Sequence, residues 1–391
     1  MIICKTKENG PMGSAVTEEE VHATVGDRSQ PISMPSLSSD SKPTAACTSS
    51  FHQRPQVSGD AGDSCSGSGA RDAGEHDGRG LENPRQPLHE QTTVVINTSP
   101  VMSNPSTAML QIVLESFRHV PGLQECRTII IFDGYKVAQK PKHKSGVITS
   151  EQGALYEEYM CAVEGLVVSD AAFARCTTVR LKERVGFGWA LRAGVRRVTT
   201  PTVLVMQHDF LFVRHVDLEP LVHVIRSPDA GVNYLSLLSS STLNYAAQVV
   251  TRYQLKLGNL VRPLHDLLPV RDERQGAVSG CLVPLLFWYD KPHVASTEYY
   301  WEHVFNTGVL RKGDFIEDVW GQQMLADIKR HGLQEHAKYG TFIYDDGPVD
   351  PRTGFGGTPA IRHIDGRRFL TSEQKVARYG ITLNELRIEA A

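Results

Sequence analysis

Thr202-Val203-Leu204-Val205-Met206-Gln207-His208-Asp209 is a short aliphatic run that breaks off into an amide, an imidazole and a carboxylate. A run of that length, rich in β-branched residues, has the composition of a strand covered on both faces, as in a parallel sheet. Two stretches upstream repeat the pattern. Thr92-Thr93-Val94-Val95-Ile96-Asn97 gives way to Thr98-Ser99-Pro100, and Thr128-Ile129-Ile130-Ile131-Phe132 stops at Asp133-Gly134. Between those two, Ser106 to Arg118 sets Met109, Ile112, Val113 and Phe117 at helical spacing, with Ser106 as a cap after Pro105. Strands alternating with helices predict an α/β fold with a mostly parallel sheet flanked by helices. In open sheets of this kind ligands bind outside the carboxyl ends of the strands. Three such ends carry polar residues: Thr98/Ser99, Asp133, and Gln207/His208/Asp209.

Outward from this frame, a helix is expected over about Glu151 to Glu164. The chain then passes through Val179-Arg180-Leu181 to Arg184-Val185-Gly186-Phe187-Gly188-Trp189, which opens a glycine-led helix reaching Val195. The stretch from about Asn233 to Asn306 is less regular. It holds a strand at Tyr234-Leu235-Ser236-Leu237-Leu238 and an aromatic cluster of Phe287, Trp288, Tyr289, Tyr299, Tyr300 and Trp301. Asp314-Phe315-Ile316-Glu317-Asp318 opens a further helix with Val319, Met324, Leu325 and Ile328 inward and its carboxylates in the first turn. A short strand at Thr341-Phe342-Ile343-Tyr344 and a Gly/Pro-rich tail containing Arg362-His363-Ile364-Asp365 complete the pattern.

Composition narrows the function. The chain has 391 residues, with 41 Lys and Arg against 44 Asp and Glu, a formal net charge of -3 that gives no bulk attraction for nucleic acid or an anionic membrane. Its 7 Cys include no C-x-x-C pair, which argues against a disulfide framework or a structural zinc site and favours a reduced compartment. No apolar run reaches the roughly 18–20 residues of a membrane helix. Lys5, Lys7, Glu8 and Gly10 break up any signal-like start, so a soluble, cytoplasmic protein without an integral membrane segment is expected. Residues 1–91, rich in Ser, Gly, Pro, Asp and Gln, read as a disordered leader, because they hold too little apolar surface to offset the entropy of ordering. The folded domain is expected over 92–391, with a first half of about 92–215 and a second of about 216–370.

The succession of strand-to-Asp133, glycine-opened helix, strand-to-Gln207-His208-Asp209 and later Glu317-Asp318 resembles the nucleotide-sugar-dependent glycosyltransferases of the GT-A fold, and among them the inverting family 2 type. The resemblance spans roughly Thr92 to Arg368. It implies a Rossmann-like α/β domain taking a nucleoside-diphosphate sugar, UDP-linked by preference, and passing a hexosyl or pentosyl group to a carbohydrate or other hydroxyl acceptor with inversion.

The resemblance also distributes roles. Thr98, Ser99 and Asp133 would line the nucleotide pocket, and Arg184 would meet phosphate before the glycine-opened helix. Gln207-His208-Asp209 falls on the D-x-D-like motif, with Gln207 in place of its first acid, so that Gln207 and His208 are assigned to the donor and Asp209 to a divalent ion. Mn2+ or Mg2+ would neutralise the departing diphosphate, with His363 from the tail completing the metal shell. Asp318, beside Glu317, would be the base that takes the acceptor proton. Each residue also has an ordinary structural use: Asp-Gly after a strand is a common turn, acids in a first helical turn favour the dipole, and Trp288, Tyr289 and Trp301 suit a core as well as a sugar face.

Two further functions remain open on the sequence. A sugar-nucleotide nucleotidyltransferase uses a related core, although Thr98-Ser99-Pro100-Val101-Met102 lacks the Gly and Lys of a phosphate loop. A catalytically inactive GT-A-like binding domain would accommodate Gln207, although it has no need of Glu317-Asp318.

Overall fold

Strands buried on both faces are dominated by apolar residues, and those strands form the centre of one large sheet. The computed structural model describes residues 86–142, 145–243, 245–257, 260–268, 279–347, 357–364, 366, 369–371 and 373–374. The expected leader therefore lies outside the described residues up to position 85. Its last residues do not follow the expectation: Leu88–Gln91 is a short helical turn whose Leu88 and Gln91 are buried, so ordered packing begins before Thr92.

Apart from a separate parallel pair of two-residue strands, Lys136–Val137 with Val147–Ile148, the strands in chain order are β1 (Thr92–Thr98), β2 (Thr128–Phe132), β3 (Cys176–Arg180), β4 (Thr202–Gln207), β5 (Phe210–Phe212), β6 (Tyr234–Leu237), β7 (Arg262–Pro263), β8 (Cys281–Pro284), β9 (His293–Ser296), β10 (Thr341–Asp345) and β11 (Ile361–His363). Nine of them form one sheet in the order β3-β2-β1-β4-β9-β6-β10-β8-β7, while β5 pairs with β11 beside it. β1 is parallel to β2 and to β4, with Thr98 level with Phe132 and Asn97 level with Gln207. β3 is parallel to β2, and β10 to β6. β9 is antiparallel to β4 and β6, and β8 to β10 and β7, so only β8 and β9 reverse the common direction. The fold is α/β, a mostly parallel sheet flanked by helices.

The helices that cover it are α1 (Ala108–Glu115), α2 (Ser150–Ser169), α3 (Phe187–Val195), α4 (Glu219–Arg226) and α5 (Gln322–His331). Alternation along the strands sends Ile96, Ile130, Leu204 and Met206 to one face, where Val113 of α1, Tyr156 of α2 and Leu221 of α4 pack. Val95, Ile131, Val203 and Val205 point to the other, against Leu191 of α3, Met324 and Ile328 of α5, and Trp288. α3 comes unusually close: a Cβ on Gly194 would lie 2.7 Å from Val95 Cγ1, which only hydrogen permits.

Local chemistry accounts for the differences from expectation. The helix expected over Ser106 to Arg118 is α-helical only over Ala108–Glu115, tightens into a 3-10 turn at Ser116–His119, and leaves Ile112 exposed. α2 is longer than expected; Thr149 Oγ1 accepts the Gln152 N–H while Gln152 Oε1 accepts the Thr149 N–H, a capping box that sets its start. α5 begins at Gln322, and Glu317–Gly321 forms a wider π-type turn ahead of it, with Val319 only half-buried. Among the described residues no helix is long and apolar enough to cross a membrane.

Candidate functional site

The chain leaves β1 toward β2 and β3 on one side and reaches β4 on the other, so the sheet changes winding direction between the carboxyl ends of β1 and β4. That is where an open α/β sheet leaves a crevice. His208 N–H donates to Asn97 O at 3.1 Å and Asp133 N–H to Thr98 O at 3.1 Å, which extends the ladder past the strands and fixes all three polar ends at one edge. Asp133 and Gln207 are separated there by two strand spacings, roughly 10 Å.

At β2, Asp133 is buried and both carboxylate oxygens are in use: Oδ1 accepts the Val185 N–H at 2.8 Å and Oδ2 the Gly186 N–H at 3.0 Å. Burial pushes its pKa above the usual carboxylate range, while the two amides and the nearby Arg184 charge pull it back. Arg184 thus acts electrostatically on Asp133, and the amides that open the glycine-led helix are spent inside the protein. Gly188 N–H is likewise donated to Asp314 O at 3.1 Å. Gly186 sits at φ 81°, and a Cβ there would fall 2.6 Å from Gly313 Cα, so this loop packs directly on the segment leading to Glu317. Thr98 also turns inward, its hydroxyl donating to Ile131 O at 3.0 Å; Ser99, one residue on, is exposed.

The end of β4 is different. Asp209 Oδ2 meets His363 Nε2 at 3.0 Å and accepts the Gly366 N–H at 3.1 Å, but Oδ1 is buried with no hydrogen-bond partner. Burial pushes the Asp209 carboxyl up, yet the His363 hydrogen bond together with His208 and Gly366 holds it below its ordinary value. His363 lies on β11, its ring stacked on Phe210 at 4.6 Å between centroids. His208 is buried, its Nδ1 is unpartnered, and burial keeps its pKa below the usual histidine range. Asn97 Oδ1 is a further unpartnered buried atom at this edge, while its Nδ2 donates to Phe187 O at 3.2 Å. Buried polar atoms without partners are uncommon, and three of them, on Asn97, His208 and Asp209, lie at the β1/β4 edge.

Gln207 donates its Nε2 to Asp290 O at 2.8 Å. Asp290 in turn exchanges bonds with Glu317: its N–H meets Glu317 Oε2 at 3.2 Å, and its Oδ2 accepts the Glu317 N–H at 3.1 Å. This chain brings the Glu317-Asp318 turn to the end of β4. Glu317 is half-buried and its carboxyl is pushed above its ordinary value by burial, whereas Asp318 is exposed. Lys291 reaches Ser241 Oγ at 2.8 Å and lies over the Tyr289 ring at 4.4 Å. Asp290, Lys291 and Asn97 were not singled out from the sequence; an acid-base pair directly after Phe287-Trp288-Tyr289 was the available signal for the first two. Of the aromatics, Trp288 and Tyr300 are fully buried core residues. Asp365, expected near His363, lies outside the described residues.

Among the described residues no three of His, Cys, Asp and Glu stand together as a metal set. Asp209 and His363 form a pair, with the buried Asp209 Oδ1 as an unpartnered lone-pair donor. Such a pair fits a hard divalent ion that draws its remaining ligands from phosphate oxygens and water.

No protein-family profile and no curated protein matches the chain. Among solved structures it is similar to the mannosyltransferase PcManGT from Pyrobaculum calidifontis in complex with GDP-Man and Mn2+, with a TM-score of 0.36 and 12% identity over 68% of this chain and 58% of that one. It is also similar to TarS 1-349 from S. aureus, with a TM-score of 0.29 and 9% identity over 65% of this chain and 57% of that one. For the complex of TarS 1-349 with UDP-GlcNAc the TM-score is 0.25 at 12% identity, over 38% of this chain and 34% of that one. The chain thus spans little more than half the length of the first two, and at these scores the likeness carries no information about individual site residues.

Proposed function

We propose that the chain is a glycosyltransferase of the GT-A type that moves a sugar from a nucleoside-diphosphate sugar, UDP-linked by preference, to a hydroxyl acceptor with inversion. The observation that carries this is the bonded path from Gln207 through Asp290 to Glu317, which sets an exposed acid, Asp318, beside a strand end where Asp209 keeps an unspent oxygen. A transfer needs both groups within one substrate length: positive charge at the leaving diphosphate and a base at the acceptor.

In this mechanism Asp209 and His363 would hold the divalent ion, Mn2+ or Mg2+, which supplies charge neutralisation at the diphosphate. Ser99, exposed at the end of β1, and Gln207 line the donor crevice. Thr98, Asp133 and Arg184 act behind it as the scaffold of the glycine-led loop. His208, buried and neutral, sits behind Asp209. Asp318 accepts the proton of the attacking hydroxyl, and solvent exposure leaves it free to meet an acceptor. Glu317 is held by Asp290 and fixes the turn.

The test is a thermal-shift screen of the full-length protein against nucleotide sugars with and without Mn2+. A ligand at about 100 times its Kd stabilises the native state by about 2.7 kcal/mol. The matching donor should raise Tm only with metal present, and Asp209→Asn should lose the metal-dependent part. Asp318→Asn should keep donor binding while turnover falls about 10²- to 10⁴-fold. Donor binding without turnover by the wild type would favour the binding-domain alternative, and pyrophosphate release the nucleotidyltransferase.

A further inference from the structure

Asp290 does more than close a turn. Its backbone N–H, its Oδ2 and its carbonyl each make a separate bond, two to Glu317 at 3.2 and 3.1 Å and one to Gln207 at 2.8 Å. One residue thereby ties the last position of β4 to the first residue of the Glu317–Gly321 turn. The residue is only 4% exposed, and the indole of Trp288, itself buried, faces the carboxyl as a hydrogen-bond donor.

The surroundings of this carboxyl are acidic. Glu317 and Asp318 face it from the turn, and the phenols of Tyr234 on β6 and Tyr300 on the following turn add no positive charge. Lys291, next along the segment, carries its ammonium to Ser241 Oγ, and its charge acts on Glu317. Gln207 presents a neutral amide. Among the described residues no cation forms an ion pair with Asp290, and burial, with the neighbouring acids, pushes its pKa up to about 8 against the pull of the Glu317 amide and the Trp288 indole.

We propose that Asp290 is a positioning residue for the transfer, clamping Glu317 against Gln207 so that Asp318, one residue on, faces the acceptor hydroxyl. This rests on the transferase function above. The clamp is sensitive to pH. Below the midpoint the carboxyl is a neutral acid that tolerates Glu317 and Asp318 at close range. Above it a further buried negative charge repels both and loosens the turn.

Nucleoside-diphosphate release from the stabilising donor, followed from about pH 6 to about pH 10 in wild type, Asp290→Asn and Asp290→Ala, tests this. Asn keeps an acceptor for the Glu317 N–H and the shape of the side chain. The Ala variant should lose about 10²-fold in kcat with donor KM within about twofold, the scale of a misplaced reacting group. Asn should recover kcat to within about fivefold of wild type and abolish the fall in activity near pH 8. An Ala variant with wild-type kcat, or an Asn variant with the wild-type alkaline fall, overturns the assignment. Should wild type turn over no donor, the transferase function fails by itself, and a carbon-13 carboxyl titration decides the role of Asp290. Its resonance, identified by its loss in Asp290→Asn, should titrate near pH 8 and shift the Glu317 amide with the same midpoint. An ordinary carboxylate midpoint or an unmoved Glu317 amide overturns the proposal.

Discussion

Asp133 and Asp209 follow strands of one sheet, Asp133 held by its own N–H on Thr98 O and Asp209 one residue past the His208 N–H on Asn97 O, and each stands out in the sequence for the same reason. Their surroundings separate them. Asp133 spends both oxygens on the amides of Val185 and Gly186, whereas Asp209 spends one on His363 and Gly366 and leaves Oδ1 buried without a partner. A carboxylate with main-chain amides on both oxygens holds a loop in place; a carboxylate with one oxygen unpartnered and an imidazole beside it has more capacity for a ligand. Position at a strand end is therefore insufficient, and the fate of each lone pair decides the role.

The largest expected effect breaks this comparison if it goes the wrong way. Asp133→Ala strands two buried amides, each costing about 1–3 kcal/mol unpaired, so a loss of about 3 kcal/mol is expected in urea unfolding. Asp209→Ala strands one buried amide and a partly exposed imidazole, so its loss should be smaller, about 1–2 kcal/mol. A larger loss at Asp209 than at Asp133 would make Asp209 the structural acid.

A smaller effect sharpens the comparison through its sign. Asp133 has its folded pKa raised by burial, so its contribution is fully present below the ordinary carboxylate pKa and is lost as pH rises through the folded value. Asp209 is held low despite its burial, chiefly by the His363 hydrogen bond, so its contribution is present above the ordinary pKa and is lost as pH falls. Unfolding in chelator between about pH 3 and about pH 6 should show wild type losing ground to Asp133→Asn as pH rises, and gaining ground on Asp209→Asn. Slopes of the same sign would show that the two carboxyls share one environment.

Legibility in the sequence follows the same division. The third of the sheet built from β1, β2 and β4 is readable because a parallel strand buried on both faces is a short apolar run, and its polar end is visible by contrast. β8 and β9 were not. β9 carries His293 inside the sheet, tolerated because its Nδ1 meets Lys291 O and its Nε2 meets Tyr300 OH, both at 2.5 Å. Nothing local announces such a histidine, which burial holds at a pKa of about 3. Asp290 was missed for a related reason: its partners stand at positions 207 and 317, and no spacing rule links them. Glu317-Asp318 was found as an acid pair, but the π-type turn and the inward Glu317 depend on that distant partner.

The smallest effect concerns a residue whose hydroxyl turns inward. Thr98 was placed in the nucleotide pocket, yet its side chain is buried, donating to Ile131 O at 3.0 Å and lying 3.5 Å from Tyr156 OH, which itself donates to Asp133 O at 3.1 Å. The hydroxyl thus belongs to the bracing of β1 against β2 and α2, on the scaffold side of the comparison. Thr98→Val keeps the β-branched shape and removes one neutral hydrogen bond, so unfolding should cost about 1 kcal/mol while donor KM stays at the wild-type value. A donor KM raised tenfold with unchanged stability would return Thr98 to the pocket and show that β1 contacts the nucleotide through its buried hydroxyl after rearrangement, leaving exposed Ser99 without a role.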